Sequence, residues 1–217
     1  MPIESILIKR QRMARIVSLL KQEYPDAHCS LEYKSSFQLL VSTILSAQCT
    51  DERVNKVTKN LFAKYSKPED FAKLPLEIIK EEIYSTGFYN NKAKSIKSMA
   101  TAVMEKHGGK LPQTLDEMIQ LAGVGRKTAN VVLGNVHGIP SLVVDTHVTR
   151  ISNLLKFVKT KDAAKIEREL CKIVHKDDWT LFAHLIIDHG RAVCIANRPQ
   201  CQNCVISEFC PSKIGEA

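Results

Sequence analysis

Apolar residues return at helical spacing along most of the chain. Phe37, Leu40, Val41, Ile44 and Leu45 fall at i, i+3, i+4, i+7 and i+8, and Ile96, Met99, Ala100, Val103 and Met104 repeat the pattern, so each run predicts a helix with one buried face. Polar punctuation marks the ends. Thr50 before Asp51 and Glu52 reads as an N-cap, Pro75 occupies a first helical position, and Gly108-Gly109 closes the helix through Ile96. Thr114, Leu115, Asp116 and Glu117 have the form of a capping box, opening a short helix that stops at Gly123, with helix resuming after the turn. After Gly138-Ile139-Pro140, a run from Ser141 to Val144 reaches Asp145, placed to cap a helix carrying Val148, Ile151, Leu154 and Leu155. Two more helices are expected on Ile166, Leu170, Ile173 and Val174, and on Phe182, Leu185 and Ile186, the latter ended by Gly190. No alternating strand of useful length, internal repeat or low-complexity tract interrupts the series, which predicts an all-α fold.

Composition changes this picture in three ways. The 217 residues contain no long polar or Pro/Gly-rich linker, so a compact body of one or two lobes is expected. Lys and Arg outnumber Asp and Glu 31 to 23, giving +8 and a pI near 9.1, which suits a polyanionic partner without requiring one. Lys9, Arg10, Arg12 and Arg15 break up the N-terminal apolar residues, leaving neither a signal-peptide core nor a membrane span of about 20 residues; a cytoplasmic location is expected. Seven cysteines, an odd number in a reducing compartment, point away from a disulfide framework and towards metal ligation.

The segment Leu121 to Gly134, LAGVGRKTANVVLG, carries the first candidate chemistry. It is not a nucleotide-binding P-loop, because Leu121 and Arg126 stand at the two required glycine positions and the preceding segment is helical. What remains is helix, glycine turn, helix. Gly123 and Gly125 are read as residues free to adopt positive φ and to bring backbone amides close to a phosphate oxygen; the plain alternative is an ordinary helix connection. Lys127, in the first turn of the second helix, sets its charge against the helix dipole, a placement that suits imine chemistry. It can equally be a solvated or phosphate-contacting lysine. Asp145 in VVDTHVTR reads as an N-cap and, if it met Lys127, as a proton acceptor.

At the other end, Cys194, Cys201, Cys204 and Cys210 fall within 17 residues, with six, two and five residues between them. Four thiolates this close can wrap one centre, and full thiolate ligation leaves no open position, which suits a structural role. Chemistry alone leaves zinc and an iron-sulfur cluster open. Arg191 and Arg198 flank the ligands as a second candidate phosphate contact. Cys29, Cys49 and Cys171 read as ordinary thiols in or near helices.

Taken together, LSAQCTD, STGFYNNKA, LAGVGRKTANVVLG, VVDTHVTR and the four-cysteine tail resemble the endonuclease III family of helix-hairpin-helix DNA glycosylases and AP lyases, and the resemblance spans nearly the whole chain. It implies two helical lobes with a DNA-binding cleft. Residues 29–139 would form a helical barrel domain containing the hairpin, about 114–134. Residues 1–28 with 140–217 would form an iron-sulfur domain holding a 4Fe-4S cluster in the loop 194–210. Lys127 would attack C1′ of an oxidised pyrimidine nucleotide flipped out of damaged double-stranded DNA, and a Schiff base and β-elimination would follow, with Asp145 assisting.

By the same resemblance, Leu121, Gly123, Val124, Gly125 and Arg126 would grip phosphate. Gln48 would fill the gap left in the base stack, and Phe88, where leucine is usual, would wedge the duplex. Ala122 in place of the common proline and Cys49 in place of the common alanine are further departures. A monomer acting at the nucleoid is expected. The rival readings are a monofunctional mismatch glycosylase, against which Lys127 argues, and a non-catalytic iron-sulfur DNA-binding protein.

Overall fold

In the computed structural model, residues 4–214 are described; the outermost residues of the expected iron-sulfur domain, 1–3 and 215–217, lie outside them. The described residues form eleven α-helices joined by turns, with no strand. They divide into two compact units, Cys29–Ile139 and Met1–His28 with Pro140–Ala217. None of the helices is long and apolar enough to cross a membrane.

The contiguous unit is built around α2 (Ser36–Leu45). Its periodicity suggests one apolar face, yet every residue from Phe37 to Leu45 is buried, Gln38, Ser42 and Thr43 included. Two of these polar positions bond locally: Thr43 donates to Leu39 O at 2.7 Å, and Gln38 Oε1 accepts from Lys34 N at 2.8 Å, whereas the buried Ser42 hydroxyl has no hydrogen-bond partner. Around it pack α3 (Asp51–Lys64), capped by Thr50 as expected, α4 (Pro68–Lys73), α5 (Leu76–Ile83), α6 (Tyr89–His107), the single turn α7 (Leu115–Met118) and α8 (Arg126–Asn135). Pro75 is the cap of α5 rather than its first residue. Only half of the expected capping box at Thr114 forms: its hydroxyl accepts from Glu117 N, while the Glu117 carboxylate accepts from that hydroxyl instead of from the cap amide. The helix it opens ends at Met118, well before Gly123.

Two lysines on α6 reach carbonyls at the ends of other helices. Lys97 donates to Ala72 O and Leu74 O at the end of α4, at 3.1 and 2.6 Å. Lys92 donates to Leu45 O, the last carbonyl of α2, and to Thr86 O, at 2.7 and 2.8 Å. Each ammonium sits where a helix dipole is negative and carbonyls lack intrahelical partners.

The discontinuous unit joins the N-terminal helix, its position outside the predicted series, to the C-terminal third. It holds α1 (Ile6–Glu23), which was numbered first in chain order, with α9 (Thr146–Leu154), α10 (Ala163–Leu170) and α11 (Trp179–Ala192). Helix α11 runs through Gly190 and ends at Ala192, so this glycine is not a terminator. It is a packing residue: a Cβ there would collide with the His147 ring, so the missing side chain is what lets α9 lie against α11. Ile173 and Val174 are buried but lie past the end of α10. Arg12 ties three distant segments, bonding both oxygens of Glu4 at 2.9 and 2.7 Å, Leu155 O at 2.9 Å and Phe209 O at 3.1 Å, with its guanidinium 4.0 Å from the centre of the Phe157 ring. That bonding holds the Glu4 carboxyl below its usual range.

Candidate functional site

In the turn between α7 and α8 the two glycines have different reasons to be there. Gly123 has φ 75°, and a Cβ would lie 2.6 Å from Ser95 Cβ, so both backbone and packing demand glycine. Gly125 does not take the positive φ expected of it: it is the N-cap of α8 at φ −89°, and a Cβ there would point into open space. Its backbone is one that any residue adopts; glycine is a favoured N-cap, and the missing side chain leaves the first amides of α8 uncovered. Leu121 and Val124 have their side chains in the core, at 4% and 6% exposure, which leaves their backbone groups as the part able to meet a ligand. Gly123, Gly125 and Arg126 are exposed. The first amides of α8 lack intrahelical acceptors, which makes this helix start suited to an anion.

An unfolding measurement checks the distinction. Gly123→Ala is expected to lower stability by about 2 kcal/mol or more, from left-handed strain plus overlap with Ser95. Gly125→Ala is expected to cost less, about 0.5–1 kcal/mol, the loss expected when alanine replaces glycine at an N-cap.

Lys127 is the second residue of α8 and is exposed. Its neighbours Ala129, Asn130, Val132 and Leu133 are buried, so the helix is anchored on one side and presents the amine on the other. Asp145 is half-buried at the N-cap of α9, where Oδ1 accepts from Val148 N at 2.8 Å. The cap occupies one carboxylate oxygen and fixes the side chain, while the other stands outside that bond.

Gln48 and Phe88 share an unusual backbone. Their φ values are 53° and 51°, left-handed and costly by about 1–2 kcal/mol each for residues with a Cβ. Both side chains are exposed, Phe88 to 64%. A large aromatic ring held outward by a strained backbone serves no core, and strain of this kind concentrates at functional positions. Tyr84, also 64% exposed, stacks with Tyr89 at 4.7 Å between ring centres, beside the Phe88 turn. Sequence reasoning passed over this pair because nothing in a lone tyrosine marks it as exposed.

The four tail cysteines line one small cavity of about 30 Å³, with Ile151, Leu155, His189, Val193 and Ile206 among the other walls. Cys201 opens the 3₁₀ turn Cys201–Asn203, Cys204 follows it, and Cys210 follows a second turn, Ser207–Phe209. Burial pushes the Cys204 thiol up to about 11, and the neighbouring cysteines 194, 210 and 201 add to the shift; Cys210 is raised for the same reasons. Four thiolates in this space therefore need a cation among them. Among the described residues no three Cys, His, Asp or Glu side chains converge on a point suited to a single metal ion.

Two residues outside the sequence expectation attend these thiols. Arg150 donates to Cys194 O at 2.6 Å and lies 3.5 Å from its Sγ. Buried His189 has Nε2 3.5 Å from Cys204 Sγ and Nδ1 3.2 Å from the Tyr24 hydroxyl. Burial, and then the Arg150 charge, push this imidazole down to about 4, so it is neutral near pH 7. Arg191, in the last turn of α11, and Arg198, in the loop before Cys201, are both exposed.

This fold and these motifs have known relatives. Residues 41–176 match the family described as HhH-GPD superfamily base excision DNA repair protein. Endonuclease III of Synechocystis sp. is 49% identical over 205 residues, 94% of each chain, and endonuclease III of Bacillus subtilis is 44% identical over 86% of each. A solved structure of a trapped endonuclease III-DNA covalent intermediate superposes with a TM-score of 0.88 at 41% identity, covering 94% of this chain and 96% of the other.

Proposed function

The chain belongs to the HhH-GPD superfamily of base excision DNA repair proteins, and we propose that Lys127 is the nucleophile of its reaction. The protein is a DNA glycosylase and AP lyase of the endonuclease III kind. The observation that carries the proposal is an exposed lysine in the first turn of α8, two residues after an exposed N-cap glycine that leaves open space in front of the helix's first amides. A phosphate approaching Gly125 meets the amides at the start of that helix, and the amine is then beside the sugar.

The neutral Nζ of Lys127 attacks C1′ of an oxidised pyrimidine nucleotide as the glycosidic bond breaks and the base leaves with a proton. After the adduct nitrogen gives up one proton, its lone pair expels the ring oxygen: the C1′–O4′ bond breaks, O4′ takes a proton, and a protonated Schiff base forms between Lys127 and C1′. Abstraction of a C2′ proton then expels the 3′ phosphate by β-elimination, and water releases the enzyme. Asp145, fixed by its cap bond, accepts a proton and offsets positive charge developing on the sugar. Gln48 and Phe88 enter the duplex where the nucleotide has left it, and Arg126, Arg191 and Arg198 contact phosphate. One copy carries every residue named, so the reading needs no second subunit; chromosomal DNA as substrate places the protein at the nucleoid.

For the cysteine cavity we propose a 4Fe-4S cluster held by Cys194, Cys201, Cys204 and Cys210. Supporting this reading are the four cysteines that line one cavity, in a tail spaced as in the endonuclease III family to which the chain is similar. Such a centre supplies cationic charge and cross-linking to the tail.

Borohydride reduction tests the nucleophile. Purified protein mixed with duplex DNA containing thymine glycol is expected to become covalently attached to the strand, because reduction fixes an imine as an amine. Base release with no attachment would make the enzyme a monofunctional glycosylase. Binding to undamaged duplex is expected to weaken as salt rises, in line with the +8 charge, and a salt-independent affinity would refute the phosphate contacts. Gly125→Ala is expected to weaken that binding while leaving its salt dependence in place.

A further inference from the structure

Lys92 has no part in the reaction just described, yet it is among the most costly side chains in the molecule. It is 6% exposed, and burial pushes its pKa down from the usual lysine value. No carboxylate compensates it; its partners are two backbone carbonyls, Leu45 O at 2.7 Å and Thr86 O at 2.8 Å. A methionine of similar length would fill the space without desolvating a charge, so stability alone is a poor reason for lysine here.

The partners identify what the charge holds. Leu45 ends α2, and the turn that follows bonds Ser46 O to Cys49 N around left-handed Gln48. Thr86 ends the 3₁₀ turn Tyr84–Thr86, from which Gly87 and left-handed Phe88 lead into α6. Lys92 also donates its backbone N–H to Phe88 O at 3.1 Å. One residue thus grips the base of both strained turns, and the ammonium is a single point from which the Gln48 and Phe88 turns depart. Lys97, the other α6 lysine on helix carbonyls, caps α4 and touches neither turn.

We propose that Lys92 is a positioning residue that locks the Gln48 and Phe88 turns into one rigid pair, so that filling the vacated stack and wedging the duplex occur as a single event. This rests on the reading that both side chains enter DNA. The two turns are separated by about forty residues of chain, and left-handed backbone at both relaxes readily unless something over-determines it. A third group that binds both stems removes their independent motion.

The test follows nucleotide extrusion by stopped-flow fluorescence of 2-aminopurine placed beside thymine glycol in a duplex. Lys92→Met is expected to slow the fluorescence rise by roughly tenfold, since small misplacements of positioning groups cost one to two orders of magnitude. Phe88→Ala is expected to slow it as well, and the Lys92→Met/Phe88→Ala double variant to be slowed by clearly less than the product of the two factors, because part of the Lys92 effect passes through that turn. A purely structural lysine would instead lower the melting temperature and leave the two effects to multiply. Wild-type extrusion by Lys92→Met, or a double variant slowed by the product of the single factors, overturns the proposal. If Lys92→Met does not fold, Lys92→Gln, which retains donors without the charge, carries the same cycle. Failure of the wild-type protein to extrude the nucleotide overturns instead the reading that Gln48 and Phe88 enter DNA.

Discussion

Lys127→Ala is expected to abolish borohydride attachment and to lower strand nicking by roughly 10³-fold or more, the scale seen when a covalent nucleophile is removed. The structure makes this a chemical test. Lys127 is exposed, at the second position of α8, and takes part in no core contact. Alanine is the better helix former, so the variant should melt at or above the wild-type temperature. Its companion is Asp145→Asn. Asparagine caps as well as aspartate and can still accept from Val148 N, so α9 should start where it does now. Only the charge is lost, and with it roughly 10²-fold in single-turnover rate if Asp145 takes a proton. Attachment that survives in Lys127→Ala would assign the imine to another amine, and an Asp145→Asn enzyme of full activity would reduce that residue to its cap.

The second large effect belongs to the tail. Cys204→Ala is expected to lose iron and inorganic sulfide together, and with them the visible charge-transfer absorbance of the protein. Little else holds this segment: Ile206 is its one deeply buried apolar residue, and Arg12 and Arg150 reach it through backbone carbonyls. Proteolysis of the variant should therefore begin between Val193 and Lys213, while Cys29–Ile139, which has its own core, stays resistant. Zinc in place of iron in the wild-type protein, or full iron content in Cys204→Ala, would overturn the assignment.

The sequence discloses best what is decided locally. Thr50 and Asp145 cap their helices because a side-chain oxygen needs to reach only three residues ahead. The all-helical fold follows from spacing that no strand can satisfy. Less visible is anything set by a distant partner. Gly190 looks like a stop signal until His147 is seen against it. The polar residues of α2 suggest an outer face, but the packed unit buries them, and local bonds satisfy Thr43 and Gln38. Nothing in the sequence marks Lys92 and Lys97 as structural, because their acceptors are backbone carbonyls, which every residue has and no pattern distinguishes. Among the candidate site residues, the motif residues were legible as types in order, whereas the left-handed geometry at Gln48 and Phe88 was not, since neither residue type favours it.

Arg12 has a consequence for how the molecule is made. Its guanidinium bonds Phe209 O across 197 positions of chain, and Leu155 O across 143. On a ribosome, Cys29–Ile139 is complete as soon as it emerges and can fold while synthesis continues. Helix α1, made before that unit, has to wait until Phe209 is made before its arginine finds all its acceptors. A segment that appears before Cys29–Ile139 thus settles after it.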